Sequence, residues 1–135
     1  PAAIAAARAN ASQLGLGDRT AFAVGSWGEA LYGTFELIVA NPPYVATSDL
    51  GYLDPEVIGY DPRQALDGGA DGLESIRALA PNLSRLAGNA GRAFVEVGAG
   101  QAQRAGAIFS AAGFVVAAAG RDLAGNDRVV RMTRN

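Results

Sequence analysis

An amide, two prolines and a phenol stand in a row, Asn41-Pro42-Pro43-Tyr44, directly after the apolar run Phe35–Ala40. Neither proline has a backbone N–H, and each ring fixes its own φ. Backbone set in advance loses little conformational freedom when a ligand binds. The segment therefore offers acceptors, the Asn41 amide oxygen and the Pro42 carbonyl. A planar NH₂ group has two donors to place and matches such a pair. Tyr44 adds an aromatic face for packing against a flat group. A strand terminator is the plainer reading of Pro-Pro alone; the Asn before it and the Tyr after it favour a binding role.

Other chemistries are narrowed by what the 135 residues lack. There is no Cys and no His, which excludes disulfides, thiol nucleophiles, Ser-His-Asp hydrolysis and imidazole or thiolate metal sites. No metal site is expected. Glu96 ends an apolar run and reads either as a general base or as a carboxylate held by structure. Gly98-Ala99-Gly100 is half of a dinucleotide fingerprint, with Gln103 at the third glycine position, and reads better as a tight strand-to-helix turn. Asp67-Gly68-Gly69-Ala70-Asp71-Gly72 has Ala78 where a calcium loop needs Glu, so it is expected to shape the approach to the site. Asp127 and Arg128 are expected to form a local pair or to support a hairpin.

Net charge is −2, with no Lys/Arg cluster, so neither a nucleic-acid track nor a membrane surface is expected. No apolar run approaches the roughly 18 residues of a membrane span. Absence of Cys fits a reducing compartment such as the cytoplasm. No targeting peptide is visible. The chain begins at Pro1 rather than Met, which suggests a processed chain or a piece of a longer one.

These residues need elements to hold them. Pro1–Leu14 reads as a helix, with Pro1 at its first position and Gly15 just past its end. Thr20–Val24 reads as a short strand. Phe35–Ala40 is a nearly continuous apolar run, as expected of a strand covered on both faces. Residues 41–70 carry Pro42, Pro43, Pro55 and Pro62 and read as a long functional loop with at most a short helical turn. Leu73, Ile76, Leu79, Leu83 and Leu86 recur at helical spacing, and Pro81 is expected to kink or divide that helix. A turn at Gly88–Gly91, a buried strand at Ala93–Val97 and a helix at Gln101–Ala112 follow. Phe114–Ala118 and Arg128–Met132 read as two last strands joined by a turn around Gly125-Asn126. Alternation of strands and helices predicts one α/β domain with a largely parallel sheet and an antiparallel pair at its end.

Four blocks of the sequence resemble one family in order. Asn41-Pro42-Pro43-Tyr44 is similar to motif IV of methyltransferases that use S-adenosylmethionine to modify amino groups. That motif serves both adenine N6 and glutamine N5. The stretch from Glu56 to Leu73, then Glu96-Val97-Gly98 with Gly100-Gln101, then Asp122 to Val130, resemble the HemK/PrmC family in particular. The resemblance implies transfer of a methyl group from S-adenosyl-L-methionine to the side-chain amide of the glutamine in the Gly-Gly-Gln motif of class I peptide release factors. It implies a Rossmann-like class I sheet with an antiparallel C-terminal hairpin. It also implies that residues 1–135 are a partial domain, lacking the first two strands, the glycine-rich cofactor loop and the N-terminal helical domain.

By the same resemblance Asn41 and Pro42 are the catalytic pair, and Asn41, Pro42, Pro43 and Tyr44 receive the substrate. Trp27 and Asn41 contact the cofactor. At Ser26 the family usually carries Asp, and ordinary core packing is the alternative role of Trp27. Two other functions stand beside this one: an adenine-N6 methyltransferase of DNA or RNA, which predicts a basic surface, and a catalytically inert fragment.

Overall fold

A computed structural model describes residues 2–134. Helix α1 spans Ala2–Gln13 and ends at Gly15, whose φ of 67° is the left-handed conformation that glycine adopts without strain. The expected first helical position, Pro1, lies outside the described residues. Thr20–Val24 belongs to no ladder among the described residues, so the strand expected there is not found. Residues that favour strands make one only when a partner supplies hydrogen bonds and packing.

The sheet is built from β1 (Phe35–Ala40), β2 (Ala87–Glu96), β3 (Phe114–Val116), β4 (Gly120–Arg121) and β5 (Asp127–Arg134), in the order β1-β2-β5-β3, with β4 also on β5. β1 and β2 pair in parallel, whereas β5 pairs antiparallel with β2, β3 and β4. The expectation of a largely parallel sheet is thus corrected. β1, β2 and β3 do run the same way, but β5 returns between β2 and β3 and makes every contact there antiparallel. The register slips between Phe35↔Ala87 and Leu37↔Arg92. The turn predicted at Gly88–Gly91 is this bulge inside β2, and Ala90 adopts φ 61° within it.

Between β1 and β2 lie a 3-10 turn at Thr47–Tyr52 and the helices α2 (Pro55–Tyr60), α3 (Arg63–Leu66) and α4 (Glu74–Leu86). The 41–70 region is therefore more ordered than a loop. α4 passes through Pro81 without dividing. After the turn at Gly98–Gly100, α5 (Ala102–Ala111) leads to β3.

The apolar spacing read in α4 is its buried face. Ile76, Leu79 and Leu83 pack with Leu73 against Ala93, Val95 and Val97 of the β2 region, Phe109 of α5 joins them beside Phe114, Val130 and Met132, and Leu86 is buried on the same helix. Ile38 and Ala40 of β1 pack on the same cluster. Phe35, Leu37 and Val39 alternate with them on the other face and are exposed. No helix among the described residues is long and apolar enough to cross a membrane.

Candidate functional site

β1 carries the chain to Ala40, and Asn41–Tyr44 leaves its carboxyl end, where open α/β sheets bind ligands. Asn41 is exposed, Pro42 is buried, and Pro43 and Tyr44 are half-buried. The segment is held chiefly through its backbone. Val45 N donates to the Leu66 carbonyl (3.0 Å), Gly68 N donates to the Val45 carbonyl (2.8 Å) and Thr47 N donates to the Gly69 carbonyl (2.9 Å). Gln101 completes the hold from the other side. Its Nε2 donates to the Tyr44 carbonyl at 2.9 Å, and its Oε1 accepts from Gly98 N at 2.8 Å. One side chain thereby ties the Asn-Pro-Pro-Tyr segment to the turn after β2.

The glycines of the 67–72 loop make this contact sterically feasible. A Cβ on Gly68 would meet Tyr44 Cα at 2.8 Å and the Pro43 carbonyl at 2.9 Å, and one on Gly72 would meet the Tyr44 carbonyl and Gln101 Nε2. The 67–72 loop was expected to shape the approach to the site; it is the surface on which the Asn41–Tyr44 backbone lies. Asp67 fixes the loop's start. The Thr47 hydroxyl (2.7 Å) and the Gly69 N–H (3.1 Å) hold its carboxyl below the ordinary 3.8.

Tyr44 is engaged on its ring and its hydroxyl. The hydroxyl donates to Glu96 Oε1 at 3.0 Å and accepts from Arg128 Nη2 at 3.0 Å. The Arg128 guanidinium also lies 5.2 Å from the ring centroid, a cation–π arrangement. The carboxylate of Glu96 is thus held by structure, the second of the two roles read for it. Of the two roles read for Asp127 and Arg128, the local pair does not form, whereas support of a hairpin is found: Asp127 pairs with Arg121 of β4 at 3.0 Å, and Arg128 approaches Asp122 at 4.0 Å as well as Glu96 at 3.6 Å.

Two recesses flank these residues. Asn41, Pro42 and Tyr44 line one of about 380 Å³, together with Val57, Asp61 and Leu66 of the helical insertion. Pro43 lines a larger open cleft of about 880 Å³ with Trp27, Thr47, Asp67 and Glu74. The structure therefore brings Trp27 to the same cleft as Pro43 but leaves Asn41 in the neighbouring recess. Trp27 sits at φ 49° in a turn that Arg85 pins to α4, donating to the carbonyls of Leu31 (2.8 Å) and Gly28 (3.0 Å). It also packs on the core cluster, which is the alternative role read for it.

Gln101 and Arg85 are the supporting residues that sequence reading left without a role, while Gly68 and Gly72 were read only as part of the loop that shapes the approach to the site. The Gly-rich composition of 67–72 is the signal that could have pointed to close backbone approach.

No family profile matches the chain. Along almost its whole length, however, it is similar to proteins named release factor glutamine methyltransferase. That of Rhodospirillum rubrum is 43% identical over 134 residues, covering 99% of this chain and 41% of the relative. That of Caulobacter vibrioides is also 43% identical, covering 98% and 46%. The Geobacter sulfurreducens protein is 44% identical over 131 residues, covering 96% and 45%. The chain thus spans less than half the length of these curated relatives.

Proposed function

Because the chain belongs by sequence to the release factor glutamine methyltransferase family, we propose that it forms the acceptor-side part of such an enzyme. The reaction is methyl transfer from S-adenosyl-L-methionine to the side-chain amide nitrogen of the Gly-Gly-Gln glutamine in class I release factors, in the cytoplasm. The fold is read as part of a Rossmann-like class I methyltransferase sheet. Three co-directional strands joined through helices, with an antiparallel hairpin at the end, support that reading.

The observation that carries the proposal is the Asn41–Tyr44 segment, set at the carboxyl end of β1 and clamped from two sides through its backbone. An amide nitrogen is a poor nucleophile, because its lone pair is delocalised into the carbonyl. The bound sulfonium donor supplies an already activated methyl group. The chain's contribution is placement. Asn41 Oδ1 and the Pro42 carbonyl accept the two N–H groups of the substrate amide and aim its nitrogen. Fixed geometry of this kind supplies roughly 7–11 kcal/mol in the best cases, and oriented acceptors stabilise charge developing on the N–H groups. No histidine base is required, since the proton leaves to solvent after transfer.

The residues present fit part of a cofactor site. Trp27 offers an aromatic surface in a cleft of about 880 Å³ that Pro43 also lines, a volume typical of small-molecule sites. Trp27 would hold the cofactor there, with Asn41 contacting it from the adjoining recess.

The test is Asn41→Ala in the full-length protein, assayed on a release factor. Turnover falls by roughly 10²–10³-fold, while affinity for S-adenosylmethionine stays near wild type. Near-wild-type turnover would remove Asn41 from the reaction. Asn41→Asp is sharper, because it keeps an acceptor and adds charge.

The bare apolar face of Phe35, Leu37 and Val39 favours a narrower reading of the 135 residues taken alone, as an acceptor loop without a complete donor site. Calorimetry with S-adenosylmethionine decides it: submicromolar affinity of the isolated chain would rule that reading out.

A further inference from the structure

We propose that Glu96 and Arg128 are positioning residues, which set the Asn41–Pro42 acceptor pair by gripping the Tyr44 hydroxyl from two strands. The proposal rests on the methyltransferase reading for its effect on rate, but its structural basis stands apart from that reading.

Glu96 is the last residue of β2, and Arg128 is the second of β5. The two strands are locked where these residues stand. Glu96 pairs in register with Val129, and Val97 N donates to the Arg128 carbonyl at 2.9 Å. Side chains rooted in a sheet hold position better than side chains on a loop. From this base they take the two capacities of one hydroxyl. Tyr44 donates to the carboxylate and accepts from the guanidinium, each at 3.0 Å, so the O–H has a fixed direction. The guanidinium over the ring restrains the phenol in the perpendicular sense. Both bonds involve a charged partner, which makes them stronger than neutral ones.

The grip on Tyr44 reaches Asn41 because the intervening residues are prolines. Pro42 and Pro43 have φ fixed by their rings, so the tetrapeptide has few soft torsions to absorb a shift at its end. Gln101 and the 66–69 backbone hold Tyr44 and Val45 against sliding. They leave the phenol's rotation to Glu96 and Arg128. A displacement of about 1 Å at a reacting group can cost about 10²-fold in rate, so a modest rotation is enough to matter.

The experiment uses Tyr44→Phe, Glu96→Gln and their combination in the full-length protein, each nearly isosteric. The expected result is a fall in kcat of about tenfold or more in each single variant, with KM for S-adenosylmethionine unchanged. The double variant is expected to be no worse than the poorer single one, since both break one linkage. Single variants with kcat within about twofold of wild type, or losses that multiply in the double variant, would overturn the proposal.

Amide hydrogen exchange provides a readout independent of activity. Val45 and Thr47 N–H groups, bonded to Leu66 and Gly69, are expected to exchange faster in both single variants, while the buried α4 position Leu83 exchanges as in wild type. Unchanged exchange at Val45 and Thr47 would also overturn it. Should the wild-type protein leave release factors unmodified, the functional reading fails and the exchange measurement still decides the positioning role.

Discussion

A methyl group on Gly68 would stand 2.8 Å from Tyr44 Cα and 2.9 Å from the carbonyl oxygens of Pro43 and Gly72. All three are backbone atoms, so none can swing aside. Gly68→Ala is therefore expected to push the Asn41–Tyr44 segment off its support. Overpacking of this kind costs about 1–3 kcal/mol, measurable as a lower urea midpoint at unchanged slope, with a loss of turnover alongside. Gly51, exposed with open space around its Cα, is the control position. The Asn-Pro-Pro-Tyr segment was legible in sequence as a candidate because its features are local: two missing donors and two flanking side chains in four residues. Gln101 was not, because its partners Tyr44 and Gly72 lie 57 and 29 residues away, and nothing in a Gln after glycine announces them. Of the two roles read for Asp127 and Arg128, the local pair fails for a geometric reason. Neighbours in a strand point to opposite faces, so Asp127 and Arg128 of β5 cannot readily meet, and each finds its partner on another element.

At the scale of elements, α4 shows how packing overrides a local rule. Pro81 lacks the N–H that would bond the Arg77 carbonyl, and a proline inside a helix disfavours it by about 3 kcal/mol. The helix continues because Ile76, Leu79, Leu83 and Leu86 are all buried on one side of it. Pro81 itself is exposed. Pro81→Ala should therefore stabilise the protein by about 1–3 kcal/mol, seen as a higher Tm by calorimetry. The start of α4 gives a second prediction. Asp71 binds Arg77 through both oxygens (3.0 and 2.7 Å), reaches Arg104 of α5 at 2.5 Å and accepts from Leu73 N. The Arg77 guanidinium is the main cause holding its carboxyl well below the usual 3.8. A carboxyl depressed in the folded state stabilises above its unfolded pKa and loses that contribution as pH falls through the folded value. Stability should thus decline below about pH 4, and Asp71→Asn should flatten that decline while lowering stability at pH 7. An acid profile with the same slope in wild type and variant would show that Asp71 contributes nothing to it.

For the molecule as a whole, alternation of elements predicted the direction of β1, β2 and β3, but not their neighbours. Strand direction follows from helical crossovers between them, whereas insertion of β5 between β2 and β3 depends on a hairpin finding a gap that only the assembled sheet possesses. Thr20–Val24 failed as a strand for the complementary reason, since no described ladder takes it. The same dependence on neighbours governs the sheet's other end. Among the described residues β1 is paired on one side only, and its outward face leaves Phe35, Leu37 and Val39 exposed at 41%, 57% and 73%. Ile38 and Ala40, one residue out of phase, are packed on the core, so no register slip can hide the exposed set without exposing the other. A long apolar strand with a free edge is a template for pairing with another chain. The 135-residue polypeptide produced alone should therefore self-associate as concentration rises. Sedimentation velocity on wild type and on a Leu37→Lys/Val39→Lys variant tests this, because charged side chains on an edge strand block pairing without touching Ile38 or Ala40. The variant is expected to sediment as a monomer at concentrations where wild type does not. A wild-type chain that stays monomeric throughout would mean that this face needs no cover.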